Sequence, residues 1–226
     1  MNKKILLIVT LICLSLSTSL LWAAGEIKTD KQKLGYALGV YFSQGVSQQN
    51  IDMDISAFMQ AVEDVLGKKD LKLTDVEMQQ ALTAYQQTVV KERTAKADSN
   101  KAKGDKFLAE NRKKEGVVTL PSGLQYKVIK KGDGPKPGTD SNVTVHYNGT
   151  HLDGSVFDSS YERGQPASLS LSQVIKGWQE AVPLMNVGSK YQVYIPPNLA
   201  YGERGAGTSI EPNETLIFDI ELLGIN

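Results

Sequence analysis

Residues 143–160 read VTVHYNGTHLDGSVFDSS, 174–178 read VIKGW, 199–202 read LAYG and 213–223 read NETLIFDIELL. These blocks decide the fold of the second half of the chain. Val143, Val145 and Tyr147 alternate with Thr144 and His146, and Leu216, Phe218, Ile220 and Leu222 alternate with Ile217, Asp219 and Glu221. Leu169 and Leu171 alternate with serines, and Val193 and Ile195 alternate with Gln192 and Tyr194. Successive side chains of a strand point to opposite faces, so this period of two predicts an antiparallel sheet covering a core on one side. Asp153-Gly154 is a hairpin turn signal. One short helix is expected near Val174 to Val182, stopped by Pro183. The fold class is α+β, with a curved antiparallel sheet wrapped around a short helix.

Upstream of this region the periodicity is helical. Thr29 with Gln32 fits a capping box, followed by Leu34, Ala37, Leu38, Tyr41 and Phe42 at helical spacing. Ile55, Phe58, Met59, Val62, Val65 and Leu66 mark a second helix, opened by Asp54 and closed by Gly67. Thr74 with Glu77 opens a third, which runs through helix formers to Glu115 and would span about 63 Å. Its second half, from Lys91 to Glu115, has nine basic and five acidic residues and little apolar surface. A helix polar all round bridges solvent between modules, so residues 91–116 read as a spacer with solvated charges. The apolar stripes of residues 25–90 are too thin to make a core alone. Gly35 and Gly39 lie four apart, which lets another helix approach closely. These residues therefore read as an all-α, intertwined dimerisation module, with a monomeric helical subdomain as the alternative.

The start of the chain has the grammar of a secretory signal. Lys3 and Lys4 precede an apolar run from Ile5 to Leu21, and Ala23 and Ala24 offer a cleavage site, so residues 1–24 are assigned to a signal peptide. The only cysteine, Cys13, lies inside that run, and the mature chain has no disulfide. The 25 basic and 25 acidic residues leave no net charge, which argues against a general nucleic-acid binder. His146 and His151, the only histidines, are placed by strand alternation and a turn where a shared metal is not expected.

The aromatic blocks resemble the FKBP family of peptidyl-prolyl isomerases over about Gly116 to Asn226. The resemblance implies a proline pocket assembled from particular residues. Tyr147 and Phe157 would form walls, Asp158 a buried acid, Val174 and Ile175 the rim, and Trp178 the floor. The Ile175 amide would donate to the substrate carbonyl, Tyr201 would supply a hydroxyl, and Ile210 and Phe218 would complete the lining. The implied catalytic set is Asp158, Tyr201 and Ile175. Read singly, Trp178, Tyr147 and Phe218 are equally ordinary core residues, and Asp158 is an ordinary cap of the Ser159-Ser160 turn. It is the ordered set of blocks that carries the resemblance.

The whole arrangement is similar to the exported bacterial Mip/FkpA group of that family. This implies a homodimer joined through the N-terminal helices, with an isomerase domain at 117–226 acting on proline-containing polypeptide clients. It also implies sensitivity to macrolides such as rapamycin, no cofactor, no nucleic-acid partner, and a periplasmic or outer-surface location. The alternative is a dimeric folding chaperone or adhesion-like binding protein with incidental isomerase activity. Ala167 and Leu199 stand where family members often carry aromatics, which predicts a shallower pocket on that side.

Overall fold

The computed structural model describes residues 26–49 and 51–226. The signal segment 1–24 and Cys13 lie outside the described residues. The chain divides into two compact units, one ending at Asp52 and one beginning at Met53.

The first unit contains a single described helix, α1 (Asp30–Gln48). Its capping box is formed: the Thr29 hydroxyl accepts from the Gln32 amide, and Gln32 Oε1 accepts from the Thr29 amide at 2.9 Å. No residue of α1 is buried, and Leu34 and Tyr41 are 62% and 74% exposed. Open space surrounds the position a Cβ would take at Gly35, Gly39 and Gly45.

The second unit begins with α2 (Ile55–Leu66), capped by the Asp54 carboxylate, which accepts from the Ala57 amide at 2.8 Å. Then comes α3 (Asp75–Asn111), opened by the Thr74–Glu77 capping box. Its 37 residues span about 56 Å. The helix stops four residues short of the expected Glu115. The chain turns there, with the Val117 amide donating to the Lys114 carbonyl and Gly116 at a φ of 78°, a conformation glycine adopts without penalty.

The rest is one antiparallel sheet. Its strands are β1 (Val117–Thr119), β2 (Gln125–Lys130), β3 (Asn142–Thr150), β4 (Val156–Ser159), β5 (Ala167–Ser170), β6 (Lys190–Ile195) and β7 (Leu216–Ile225). The spatial order is β1-β2-β6-β7-β3-β4, and β5 also pairs with β3. One edge of β3 is thus shared: β5 takes Asn142–Val145 and β4 takes Asn148–Thr150. The last strand in the sequence, β7, lies at the centre, paired with β6 over Leu216–Glu221 and with β3 over Ile217–Ile225. A short helix, α4 (Lys176–Ala181), packs on the concave face. Gly177 makes that approach possible, because a Cβ there would come within 2.5 Å of Ile195. Pro183 follows directly on the end of α4 and its C-cap Val182, as expected. It sits inside a single 3-10 turn, Val182–Leu184, where its missing amide leaves no bond unmade.

The alternating residues meet in one core. Val143, Val145, Val193, Ile195, Leu216, Ile220 and Leu222 from the sheet are fully buried with Ala181, Val182 and Met185. Burying each large aliphatic side chain is worth about 1.5–3 kcal/mol, so this alternation stabilises the sheet and fixes its register.

The opposite face is not bare. Gln125 and Tyr194, cross-strand partners on β2 and β6, are both buried. Phe107 of α3 packs on Tyr194 with ring centroids 5.8 Å apart. Asn111 Nδ2 donates to Gln125 Oε1 at 3.0 Å, and Gln125 Nε2 donates to the Leu108 carbonyl at 2.9 Å. The second half of α3 is therefore docked on the sheet. The reading of residues 91–116 as a solvated spacer is corrected here: the apolar signal was short, and much of the contact is polar.

Candidate active site

Three rings build the base of a pocket on the concave face, and a fourth braces them from behind. Trp178, held by α4, is buried. It meets Tyr147 of β3 edge-on, centroids 5.3 Å apart at 88°, and Phe218 of β7 at 5.4 Å and 89°. Phe157 of β4 stands perpendicular to Phe218 at 5.5 Å. Edge-to-face contacts of this kind fix ring orientation and add to simple burial. Gly149 lies opposite Phe218 in the β3–β7 register, and a Cβ there would fall 2.7 Å from Phe157 and 2.8 Å from Phe218. The strand must carry glycine here for the two rings to meet.

One wall is ionic. Tyr147 Oη donates to Asp158 Oδ2 at 2.5 Å. Arg163 donates through Nη1 to Asp158 Oδ1 and through Nη2 to Tyr147 Oη at 2.7 Å. Its guanidinium also lies 5.4 Å from the Tyr147 ring centroid, within cation–π range. Burial pushes the Asp158 carboxyl up, but the bonds from Tyr147 and Arg163 and the arginine charge outweigh it and leave the group below its ordinary value. Burial, reinforced by the bond to Asp158, raises the Tyr147 phenol. Asp158 is thus an anion and Tyr147 a neutral phenol at neutral pH. The arrangement orients groups; it is not poised to transfer a proton.

The cavity above these rings has a volume of about 310 Å³. Among the expected site residues, Tyr147, Asp158, Val174, Ile175, Trp178, Tyr201 and Phe218 line it together. Val174 is held by Gln179 Nε2, which donates to its carbonyl at 2.8 Å. The Ile175 carbonyl accepts from the Trp178 and Gln179 amides, while its own amide donates to no acceptor among the described residues. Burial and the nearby Asp158 charge raise the Tyr201 phenol, so it too stays protonated.

Two expected lining residues stand elsewhere. Phe157 supports Phe218 from behind and contacts His151 at 5.1 Å. Ile210 is buried in the core, its amide and carbonyl both bonded to Ala206. Asp158 also differs from the buried acid implied by resemblance: its side chain is 44% exposed, because its partner Arg163 is a surface residue. Leu169 and Gln173 complete the lining. Sequence reasoning did not select Arg163. The available signal was a lone arginine five residues after the acid, in a turn closed by the Gly164 amide on the Tyr161 carbonyl.

The chain and its fold have counterparts among known proteins. The family model described as "FKBP-type peptidyl-prolyl cis-trans isomerase" matches residues 134–223. That described as "Domain amino terminal to FKBP-type peptidyl-prolyl isomerase" matches residues 31–128. The chain is 45% identical over 206 residues to the outer membrane protein MIP of Legionella longbeachae, covering 89% of this chain and 88% of that one. It is 46% identical over 211 residues to the FKBP-type peptidyl-prolyl cis-trans isomerase FkpA of Aeromonas hydrophila, covering 88% and 78%. The crystal structure of FkpA from Escherichia coli superposes with a TM-score of 0.63 at 37% identity, over 89% of this chain and 99% of that one.

Proposed function

The chain belongs to the FKBP-type peptidyl-prolyl cis-trans isomerase family, and from that membership we propose how its pocket turns the bond before proline. The protein is a peptidyl-prolyl cis-trans isomerase that assists folding, and its substrates are proline-containing polypeptides. The barrier it lowers is about 18–20 kcal/mol, set by amide resonance. No bond breaks, so a surface complementary to the twisted amide suffices.

In the proposed mechanism the proline ring rests on Trp178 between Tyr147 and Phe218. Twisting removes resonance and makes the carbonyl less dipolar. An apolar aromatic cup favours that species over the planar amide, which loses hydration on entry. The Ile175 amide donates to the carbonyl of the substrate, and the Tyr201 hydroxyl holds the chain at the rim. Asp158 fixes the Tyr147 phenol and does not act as a base. The observation that carries this reading is the joined set of three edge-to-face rings and the Tyr147–Asp158–Arg163 cluster around one cavity. The test is isomerisation of a leucine- or phenylalanine-proline peptide with and without rapamycin. Fast turnover lost on adding rapamycin is expected; turnover untouched by saturating rapamycin would move the reaction out of this pocket.

The domain roles belong to the same proposal. Residues 1–24 direct export to the periplasm or outer surface, in keeping with the outer membrane name of the Legionella longbeachae relative. Residues 25–90 pair two chains, 91–116 connect, and 117–226 catalyse. The exposed apolar side chains and open glycine positions of α1 support the pairing. Light scattering should give twice the chain mass, and a monomer at micromolar concentration would contradict it. Two pockets on one dimer would engage a single client with raised avidity. A folding chaperone with incidental catalysis remains the second reading, favoured by the same exposed apolar helices. It would leave client protection intact after the pocket is blocked.

A further inference from the structure

Tyr201 opens a loop that pairs with no strand of the sheet. Residues 202–215 connect the pocket rim to the start of β7, and Gly202, Gly205 and Gly207 all take positive φ values of 57°, 64° and 55°. Such a run gives the unfolded loop many conformations and little intrinsic preference for this one. Inside the loop, the Asn213 amide donates to the Gly202 carbonyl at 2.8 Å, and Ala206 and Ile210 form a two-residue bridge. Ile210 is buried in the core and Glu214 meets His151 Nδ1 at 3.2 Å, and a further set of anchors comes from α3.

Three side chains, spaced along one face of that helix, reach the loop in order. Arg93 Nη2 donates to the carbonyls of Glu203 at 3.2 Å and Arg204 at 2.9 Å. Those carbonyls end the 3-10 turn that Tyr201 begins, so a cation caps the turn at its negative end. Lys96 Nζ pairs with Glu211 Oε1 at 2.8 Å. Asn100 Nδ2 donates to Glu211 Oε2 and to the Pro212 carbonyl, each at 3.1 Å. One turn further on, Gly104 lies so close to Thr215 that a Cβ would come within 2.3 Å of its hydroxyl. The helix and loop are therefore in register over some ten residues, and little of this contact is apolar. Surface charges alone would not require such matching to backbone carbonyls.

We propose that Arg93, Lys96 and Asn100 are positioning residues of the isomerase, holding the loop that presents Tyr201 to the substrate. The proposal rests on the reading of Tyr201 as a rim hydroxyl that binds substrate. Through this clamp, α3 is part of the active-site support as well as a connector, and the geometry of the pocket rim depends on a helix outside the catalytic sheet.

A double-mutant cycle on the full chain tests it, using a short proline peptide and thermal unfolding in parallel. Arg93→Ala should lower kcat/KM about 5-fold, mostly through KM, and should lower it less than about 2-fold once Tyr201 is already phenylalanine. Asn100→Ala should behave alike, and Arg93→Lys should recover part of the loss. Lys101→Ala, which removes a charge paired within α3 to Asp105, should change nothing. Equal losses in the Tyr201 and Tyr201→Phe backgrounds would overturn the proposal, as would a loss from Lys101→Ala as large as that from Arg93→Ala. Full activity of Tyr201→Phe alone would overturn the rim role of Tyr201 and this proposal with it. Reduced activity of Tyr201→Phe, with Arg93→Ala and Asn100→Ala unaffected, would overturn only the clamp.

Discussion

Gly149→Ala adds one methyl group to the middle of β3, and its effect follows from where that methyl must go. The new carbon would stand 2.7 Å and 2.9 Å from two atoms of Phe157 and 2.8 Å from one of Phe218. Neither ring can yield freely. Phe218 is 4% exposed and braced by Trp178, whereas Phe157 is only partly buried and rests on His151. Phe157 should therefore give way first, breaking its perpendicular contact with Phe218. Overpacking a well-filled core costs about 1–3 kcal/mol, and replacing a strand glycine returns about 0.5–1 kcal/mol. The net destabilisation is about 0–2.5 kcal/mol. For a catalytic domain of this size, a loss near 1 kcal/mol lowers the melting midpoint by roughly 4–8 °C. Calorimetry gives the midpoint, and a proline-peptide assay run well below it should show kcat/KM reduced several-fold as the Phe218 wall shifts. An unchanged midpoint together with unchanged turnover would refute the argument that ring contact requires glycine at this position.

Four other outcomes follow from the site and the docked helix. Asp158→Leu should cut turnover about 10-fold or more while the domain stays folded, since the acid is half-exposed and its loss leaves no buried charge; near-normal activity in a folded variant removes Asp158 from the mechanism. The Asp158 carboxyl lies below its ordinary value in the folded state, so its stabilising contribution is present above the unfolded value of about 3.9 and disappears as pH falls through the lower folded value. With Tyr147 shifted upward, kcat/KM should be flat from about pH 5 to 9, and a bell centred near neutrality would contradict the non-proton-transfer role. Finally, a fragment of residues 91–226 should melt higher than one of residues 117–226, because only the longer one keeps Phe107 on Tyr194 and Asn111 on Gln125. Equal midpoints would mean that the helix docks without stabilising the sheet.

The sheet was legible because burial on one face writes itself into the sequence as a period of two. The helix starts were legible because a capping box is a local device, complete within four residues. The pocket aromatics could be placed once the strands were, since Tyr147 and Phe218 fall on the core side of their alternation. Phe157 and Ile210, expected in the lining by resemblance alone, show the limit of that carry-over: it brings a residue to the neighbourhood of the pocket but does not decide whether it lines the cavity or backs it. Arg163 was missed because a turn, not a periodic element, brings it to Asp158. The face of α3 was misread for a related reason. Arg93, Lys96 and Asn100 bind backbone carbonyls or a single glutamate on a distant loop, and such partners leave no pattern in the helix's own sequence.

The central place of β7 has a consequence for the order in which the domain is made. A chain is synthesised from its N-terminus, yet the strand that joins β6 to β3 is the last of the seven to emerge. Until residues 216–225 are available, the β1-β2-β6 and β3-β4-β5 groups share no ladder, and neither can close the core over α4. The catalytic domain must therefore fold in one late, cooperative step rather than strand by strand, with a rate limited by contacts distant in sequence. A catalyst of folding thus begins as a chain that gains nothing from an early start.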